Sequence, residues 1–232
     1  MKIAIMQPYL FPYIGYFHLL HAVNRFIIYD DVTYIKQGWI NRNNILVNGK
    51  ASLFTVPLVG ASSNKLIYDI NVGNLTRWSN SFYKTIEQNY KKAPNYEVTL
   101  KLIQDIIESD YESISELCFN SLEQIMRYLK INTEIVATSR IYNNQNLSSQ
   151  DRVLDICMKE QASHYINPIG GAELYSKEAF LKSGIKLHFI KSHLSEYKQL
   201  KNEFIPWLSI IDILMFNSQE ETQLMLNQYE LL

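Results

Sequence analysis

The chain has two cysteines, no apolar run long enough to span a bilayer and no excess of positive charge, and each shortage excludes a class of protein. Cys118 and Cys157 stand apart in apolar, helix-spaced surroundings with no Cys-x-x-Cys partner. A disulfide framework is therefore not expected, and the reduced cytoplasm is the compartment that fits. A membrane-crossing helix needs about 20 consecutive apolar residues, and no stretch approaches that. The first residues lack the apolar core and cleavage site of a signal peptide. Lys and Arg total 22 against 23 Asp and Glu, a formal net charge of −1. A general nucleic-acid binder needs a basic face to offset phosphate repulsion, so no nucleic-acid partner is expected. The five histidines, His18, His21, His164, His188 and His193, form no His-Glu-x-x-His pattern and no His/Cys cluster, so no metal is expected. A Gly-x-Ser-x-Gly elbow and an Asp-x-Asp pair are also missing, which argues against a serine hydrolase and a metal-dependent glycosyltransferase.

What is present reads as α/β. The 232 residues are 47% hydrophobic, enough to fill one sizeable core. They are expected to form a single domain over 1–232 with a helical segment at about 78–130. Lys2 to Met6 is a buried strand, Gln7 to Pro12 a proline-interrupted loop, Gly15 to Asn24 a helix, and Arg25 to Tyr29 a second strand. That order predicts a right-handed βαβ unit feeding a parallel sheet. Asn48-Gly49 between two β-rich runs predicts a hairpin over 44–56, because both positions accept positive φ. Leu66 to Val72 is expected to add a strand. Helices are expected over 78–89, 96–108 and 113–129, the last with Ser113 and Glu116 at capping-box spacing. Strands follow over 134–138, 164–166 and 185–190, with helices over 149–161 and 177–183, and a helical end from Phe204 onward. The fold expected is a mostly parallel, Rossmann-like sheet with a β-hairpin insertion and a helical region.

The candidate site starts at the first loop. Ligands in parallel sheets bind beyond the C-terminal strand ends, where Gln7, Tyr9, Tyr13 and Gly15 stand. Tyrosine, present 16 times, pairs an apolar ring with a hydroxyl and suits walls that stack on sugars or bases. Asp30 and Asp31 end the second strand. Strand alternation turns only one of them toward a cleft, as a general base or an anchor for an ammonium, and leaves the other to cap the loop or meet solvent. Lys36, Trp39, Arg42 and Asn43 follow. Arg42 can clamp a phosphate or carboxylate bidentately, or pair with Asp30 or Asp31. Trp39 can stack on a sugar or pack on the hairpin. Near the end, Tyr197 and Gln199 precede Ser209 and Asp212, which share a helix face. Asp212, among isoleucines and leucine, is expected to be buried and either to lock the N-terminal loop or to take part in chemistry. Asn167 to Gly171 is a second candidate cleft wall.

Met6-Gln7-Pro8-Tyr9-Leu10, Tyr29-Asp30-Asp31-Val32, Asn41-Arg42-Asn43, Tyr197-Lys198-Gln199 and Ser209 to Leu214 together resemble the WbqC-like family of bacteria, over nearly the whole chain. Members of that family lie in gene clusters for O-antigen and other surface polysaccharides. The resemblance implies transfer of a glycyl or related acyl group to a nucleotide-linked amino sugar. The donor would be a thioester on an acyl carrier protein or coenzyme A, with no tightly bound cofactor. For such a reaction the residues themselves suggest Asp30 or Asp31 as base, Arg42 and Asn43 on phosphate, and Tyr9, Tyr13 and Trp39 around the sugar. A noncatalytic nucleotide-sugar-binding or scaffold protein of the same pathway is the alternative. Thr33 departs from the family pattern, where Gln is common, and so does the Asn167-Pro168 loop, which lacks the usual Ser-Gly pair. The loop from Pro8 to Tyr16 also resembles the nucleotidyltransferase loop carrying His-x-Gly-His. Gly15 matches its glycine, but Tyr13 and Tyr16 stand where the histidines would, so adenylyl transfer is not expected.

Overall fold

The computed structural model describes residues 1–201 and 203–232. Strand β1 (Lys2–Met6), helix α1 (Ile14–Ala22) and strand β2 (Arg25–Ile28) form the expected βαβ unit, with β1 and β2 paired in parallel from Ile3↔Arg25 to Met6↔Ile28. The excursion that follows holds hairpin β3 (Arg42–Val47) and β4 (Lys50–Thr55), a second small hairpin β5 (Leu58–Val59) and β6 (Asn71–Val72), and helices α2 (Leu75–Tyr90), α3 (Tyr96–Ile107) and α4 (Ile114–Tyr128). The chain then returns to the sheet through β7 (Glu134–Val136), α5 (Ser149–Lys159), β8 (His164–Pro168), α6 (Lys177–Lys182) and β9 (Lys186–Ser192). It ends with α7 (Ile210–Phe216), α8 (Gln219–Met225) and β10 (Tyr229–Leu231).

The six-stranded sheet runs β10-β9-β8-β1-β2-β7, and every pairing in it is parallel except that of β10. The chain therefore winds outward from β1 through β2 to β7, crosses back, and winds the other way through β8 to β9. This doubly wound order has its reversal point between β1 and β8. Both sheet faces are covered, which explains why the strands are apolar at consecutive positions rather than alternating. Ala4, Phe26 and Ile28 join the larger core with α1, the hairpin and α2–α4. Ile3, Ile5 and Ile27 join the smaller one with Val153, Ile156 and Phe180 of α5 and α6.

Local signals explain several elements. Asn48 and Gly49 both take positive φ, 50° and 73°, as a tight hairpin turn requires. Ser113 and Glu116 close a reciprocal capping box at the start of α4. Two expectations fail. Residues 66–72 are not one strand: Leu66 makes an isolated bridge to Thr33, Ile67–Asp69 is a 3-10 turn, and only Asn71–Val72 is extended. The isoleucines there face the helical core rather than a sheet neighbour. The end of the chain is not uniformly helical either. Asn217 breaks the helix, Ser218 caps a new one, and Tyr229–Leu231 pairs antiparallel with β9.

Candidate functional site

The loop after β1 is held by main-chain and side-chain hydrogen bonds from three directions. The Leu10 amide donates to the Ile40 carbonyl at 3.0 Å. Phe11 sits in the left-handed region at φ 44°, an uncommon conformation for a bulky residue. Its carbonyl accepts from Ser209 Oγ at 2.7 Å and from Asn43 Nδ2 at 2.9 Å. The Ile210 amide donates to the Pro12 carbonyl at 2.8 Å, and the Ser209 amide to the Asn44 carbonyl at 2.8 Å. Ser209 and Asn43 thus fix the loop that the sequence assigned to Asp212. Tyr16 completes the anchoring from below by donating its hydroxyl to the Gln7 carbonyl at 2.9 Å.

This anchored loop, the hairpin and the segment before α7 enclose an open cavity of about 330 Å³ lined by Tyr9, Pro12, Tyr13, Trp39, Asn43, Asn44 and Trp207. The Tyr13 ring lies over Gly15, where a Cβ would collide with it, and meets Trp207 edge-on at 5.9 Å. Trp39 and Trp207 remain 47% and 52% exposed, so two indoles offer uncovered faces at one cavity. Burial raises the pKa of both Tyr9 and Tyr13, which keeps their hydroxyls protonated and able to donate.

The structure brings together Tyr9, Tyr13, Trp39 and Asn43, with Gly15 directly beneath. Arg42 borders them. Its Nε donates to the Gly38 carbonyl at 2.8 Å and its guanidinium lies 5.9 Å from the Trp39 ring centre. It does not pair with Asp30 or Asp31, and among the described residues its terminal nitrogens have no acceptor. Lys36 is exposed on the same segment. Gln7 is half-buried behind the loop, and Tyr197 and Gln199 do not line this cavity but meet Asp212. The Asn167–Gly171 turn does not line the cavity. Trp207 is the principal wall missed from sequence. Its signal was an aromatic next to Pro206 just before the Ser209 cap, inside a stretch read as helix. At φ 60° it is outside helical geometry. Replacing Arg42 with Lys, which cannot make two parallel hydrogen bonds, should weaken binding of a phosphate-bearing ligand at this edge about tenfold, or ~1.4 kcal/mol. Calorimetric titration reads this directly.

The aspartate pair departs from the alternation expected of it. β2 ends at Ile28, so both residues lie beyond the paired strand, and both are buried, at 1% and 2% exposure. Asp30 accepts from Ser115 Oγ at 2.9 Å, Thr138 Oγ1 at 2.7 Å and the Ser139 amide at 3.2 Å. Burial raises its pKa, against the lowering effect of these donors. Asp31 is ion-paired with Arg152, accepts from Ser139 Oγ, and takes Gln145 Nε2 at 3.0 Å. Neither aspartate lines the aromatic cavity, and both carboxylates are committed to donors from later in the chain.

Asp212 is fully buried and accepts from Tyr90 Oη, Tyr197 Oη and Gln199 Nε2, each at 2.7 Å. It ties α2 and the segment before α7 together, and burial raises its pKa despite the three donors. Both cysteines are buried, and burial pushes the Cys157 thiol up to about 12 and raises that of Cys118 as well, so neither is a ready nucleophile. Among the described residues, no three His, Cys, Asp or Glu side chains are placed to hold a metal ion, and no helix is long and apolar enough to cross a membrane.

Comparison with known proteins gives one family. The sequence pattern described as "WbqC-like protein family" matches residues 7–224. An uncharacterized protein of Mycobacterium tuberculosis is 30% identical over 216 residues, covering 92% of this chain and 92% of that one. No solved structure matches.

Proposed function

Because the chain belongs to the WbqC-like protein family, we propose that its aromatic cavity binds the sugar of a nucleotide-linked amino sugar and presents the amine to a thioester donor for amide formation. The observation that carries this is the composition of the cavity: two half-exposed indoles, two tyrosines and two asparagines, with no charge among them and Arg42 at the border. Indole faces suit the apolar face of a sugar ring, asparagine amides and phenols suit its hydroxyls, and the guanidinium suits the phosphate that follows. The donor is an acyl group on an acyl carrier protein or coenzyme A. The amine nitrogen attacks the thioester carbonyl carbon, a C–N bond forms, and the C–S bond breaks with its electron pair leaving on the thiolate. The amine proton ends on that thiolate or on water. Protonated Tyr9 and Tyr13 hydroxyls are the donors that would stabilise the oxyanion between these events. Asp30 and Asp31 then act as positioning residues that brace the loop after β2. A nucleotide-linked substrate sets the step on the cytoplasmic side, before a surface polysaccharide is exported.

A second reading, a noncatalytic nucleotide-sugar-binding or scaffold protein, has its own support. Among the described residues, no carboxylate, imidazole or thiol lines the cavity. One experiment separates the two. The purified protein is incubated with a panel of nucleotide amino sugars and pantetheine-linked acyl donors, and the products are weighed by mass spectrometry. An acylated sugar supports transfer, sugar binding without product supports the scaffold, and no sugar binding across the panel removes both.

A further inference from the structure

A second, smaller crevice borders the aromatic cavity. Tyr13 and Trp207 belong to both, so the pair is a partition between them. Behind it the walls are Ile14, Leu194, Phe204, Leu208, Ile213 and Met225. Their character is apolar; Ser195 and Tyr197 are the polar members of the wall, and the Tyr197 hydroxyl is already donated to Asp212 Oδ2 at 2.7 Å. The space inside is only about 10 Å³, roughly the room one water or one methyl group takes. Trp207 stands at φ 60° and is half-exposed, so the partition is held by a loop residue in a sparsely populated backbone conformation rather than by packed core.

We propose that this crevice receives the acyl group of the donor and limits it to a small uncharged one, with the thioester carbonyl at the Tyr13–Trp207 partition and the sugar amine on the other side. The inference rests on the acyl-transfer reading and deepens it by naming the acyl class. The apolar lining disfavours a glycyl group, whose ammonium would find no carboxylate there. The size disfavours chains beyond two carbons.

The test uses the full chain and the pantetheine arm common to coenzyme A and acyl carrier proteins. Calorimetric titrations compare pantetheine with S-acetyl-, S-glycyl- and S-butanoylpantetheine, with UDP-linked amino sugar titrated separately. S-acetylpantetheine should bind about fourfold more tightly than pantetheine, the effect of burying one methyl group, and more tightly than the glycyl and butanoyl forms. Leu194→Trp, which fills the crevice from its exposed rim without touching the sugar cavity, should erase the acetyl preference and leave sugar affinity unchanged. Trp207→Ala should extend the preference to the butanoyl group. Equal binding of pantetheine and its acetyl ester, or tighter binding of the glycyl ester, overturns the crevice assignment. Sugar binding with no acyl preference overturns this inference alone. An intact acyl preference with no sugar binding instead overturns the sugar cavity and leaves the crevice standing.

Discussion

Replacing Arg152 with alanine should destabilise the protein by roughly 3–5 kcal/mol, the cost of stranding a buried partner charge. Arg152 projects from α5 into the space under the β2 loop, with its side chain 7% exposed against 0% for Asp31. Each nitrogen of its fork has a partner. One terminal nitrogen meets the Asp31 carboxylate, the other donates to the Asp31 carbonyl at 3.1 Å, and Nε donates to Asn144 Oδ1 at 2.9 Å, while the guanidinium lies 5.0 Å from the Tyr29 ring. Removing it leaves a carboxylate that water cannot reach. The double change Asp31→Leu with Arg152→Met should recover part of the loss, since the stranded charge is gone while Ser139, Gln145 and Asn144 still lose their partners. Urea unfolding of the two variants and the parent decides the matter. If Arg152→Ala lost less than 1 kcal/mol, water would have to enter the site.

Acidification gives the second large effect. His18 is fully buried on α1, with Nε2 3.0 Å from the Met225 carbonyl and Nδ1 without a partner, and its ring leans on Tyr229. Burial lowers its pKa from 6.5 to about 4, and the neighbouring His21 and His193 push in the same direction. The folded state therefore holds His18 neutral while the unfolded chain readily protonates. Its contribution is complete above about pH 6.5 and is lost as pH falls toward 4, a difference of roughly 3 kcal/mol. Asp30 and Asp212 have raised values and act oppositely over falling pH, because their protonated forms are favoured in the fold. The comparison that isolates His18 is thus parent against His18→Leu. Between pH 7 and pH 4 the parent should lose roughly 3 kcal/mol more than the variant. Parallel pH profiles would mean that His18 keeps its ordinary pKa.

The parts of this architecture carried by local signals were legible in the sequence. Consecutive apolar residues in β1 and β2, the prolines after β1, Asn48-Gly49 and the Ser113-Glu116 box each act over a few residues, and each appears as read. Tyr9, Tyr13, Trp39 and Asn43 converge on one cavity because they sit in or beside the loop after the first strand. What escaped depended on distant partners. The aspartates looked like a strand end with one free face, but Ser115, Thr138, Ser139 and Arg152, which claim them, lie 85 to 121 residues further along. Arg152 stands in an amphipathic helix where an arginine ordinarily faces water. Three residues of β10 give too short a pattern to distinguish from a frayed helix end, and Trp207 was hidden by the same apolar run that suggested one long helix.

The position of β1 at the centre of the sheet has a consequence for the order of events in the cell. Its pairing with β2 is local and can form as soon as some thirty residues are free. Its other edge waits for β8, whose residues pair with Lys2 and Ile3 across a separation of 162 positions. At ordinary translation speeds the ribosome needs roughly ten to thirty seconds to make that intervening chain. Through that interval a short, strongly apolar strand emerges with an unsatisfied edge, and nothing in the first half of the sheet can cover it. Nascent chains of this protein should therefore depend on chaperone holding more than its modest size suggests, and refolding from denaturant should be slow relative to helical proteins of the same length.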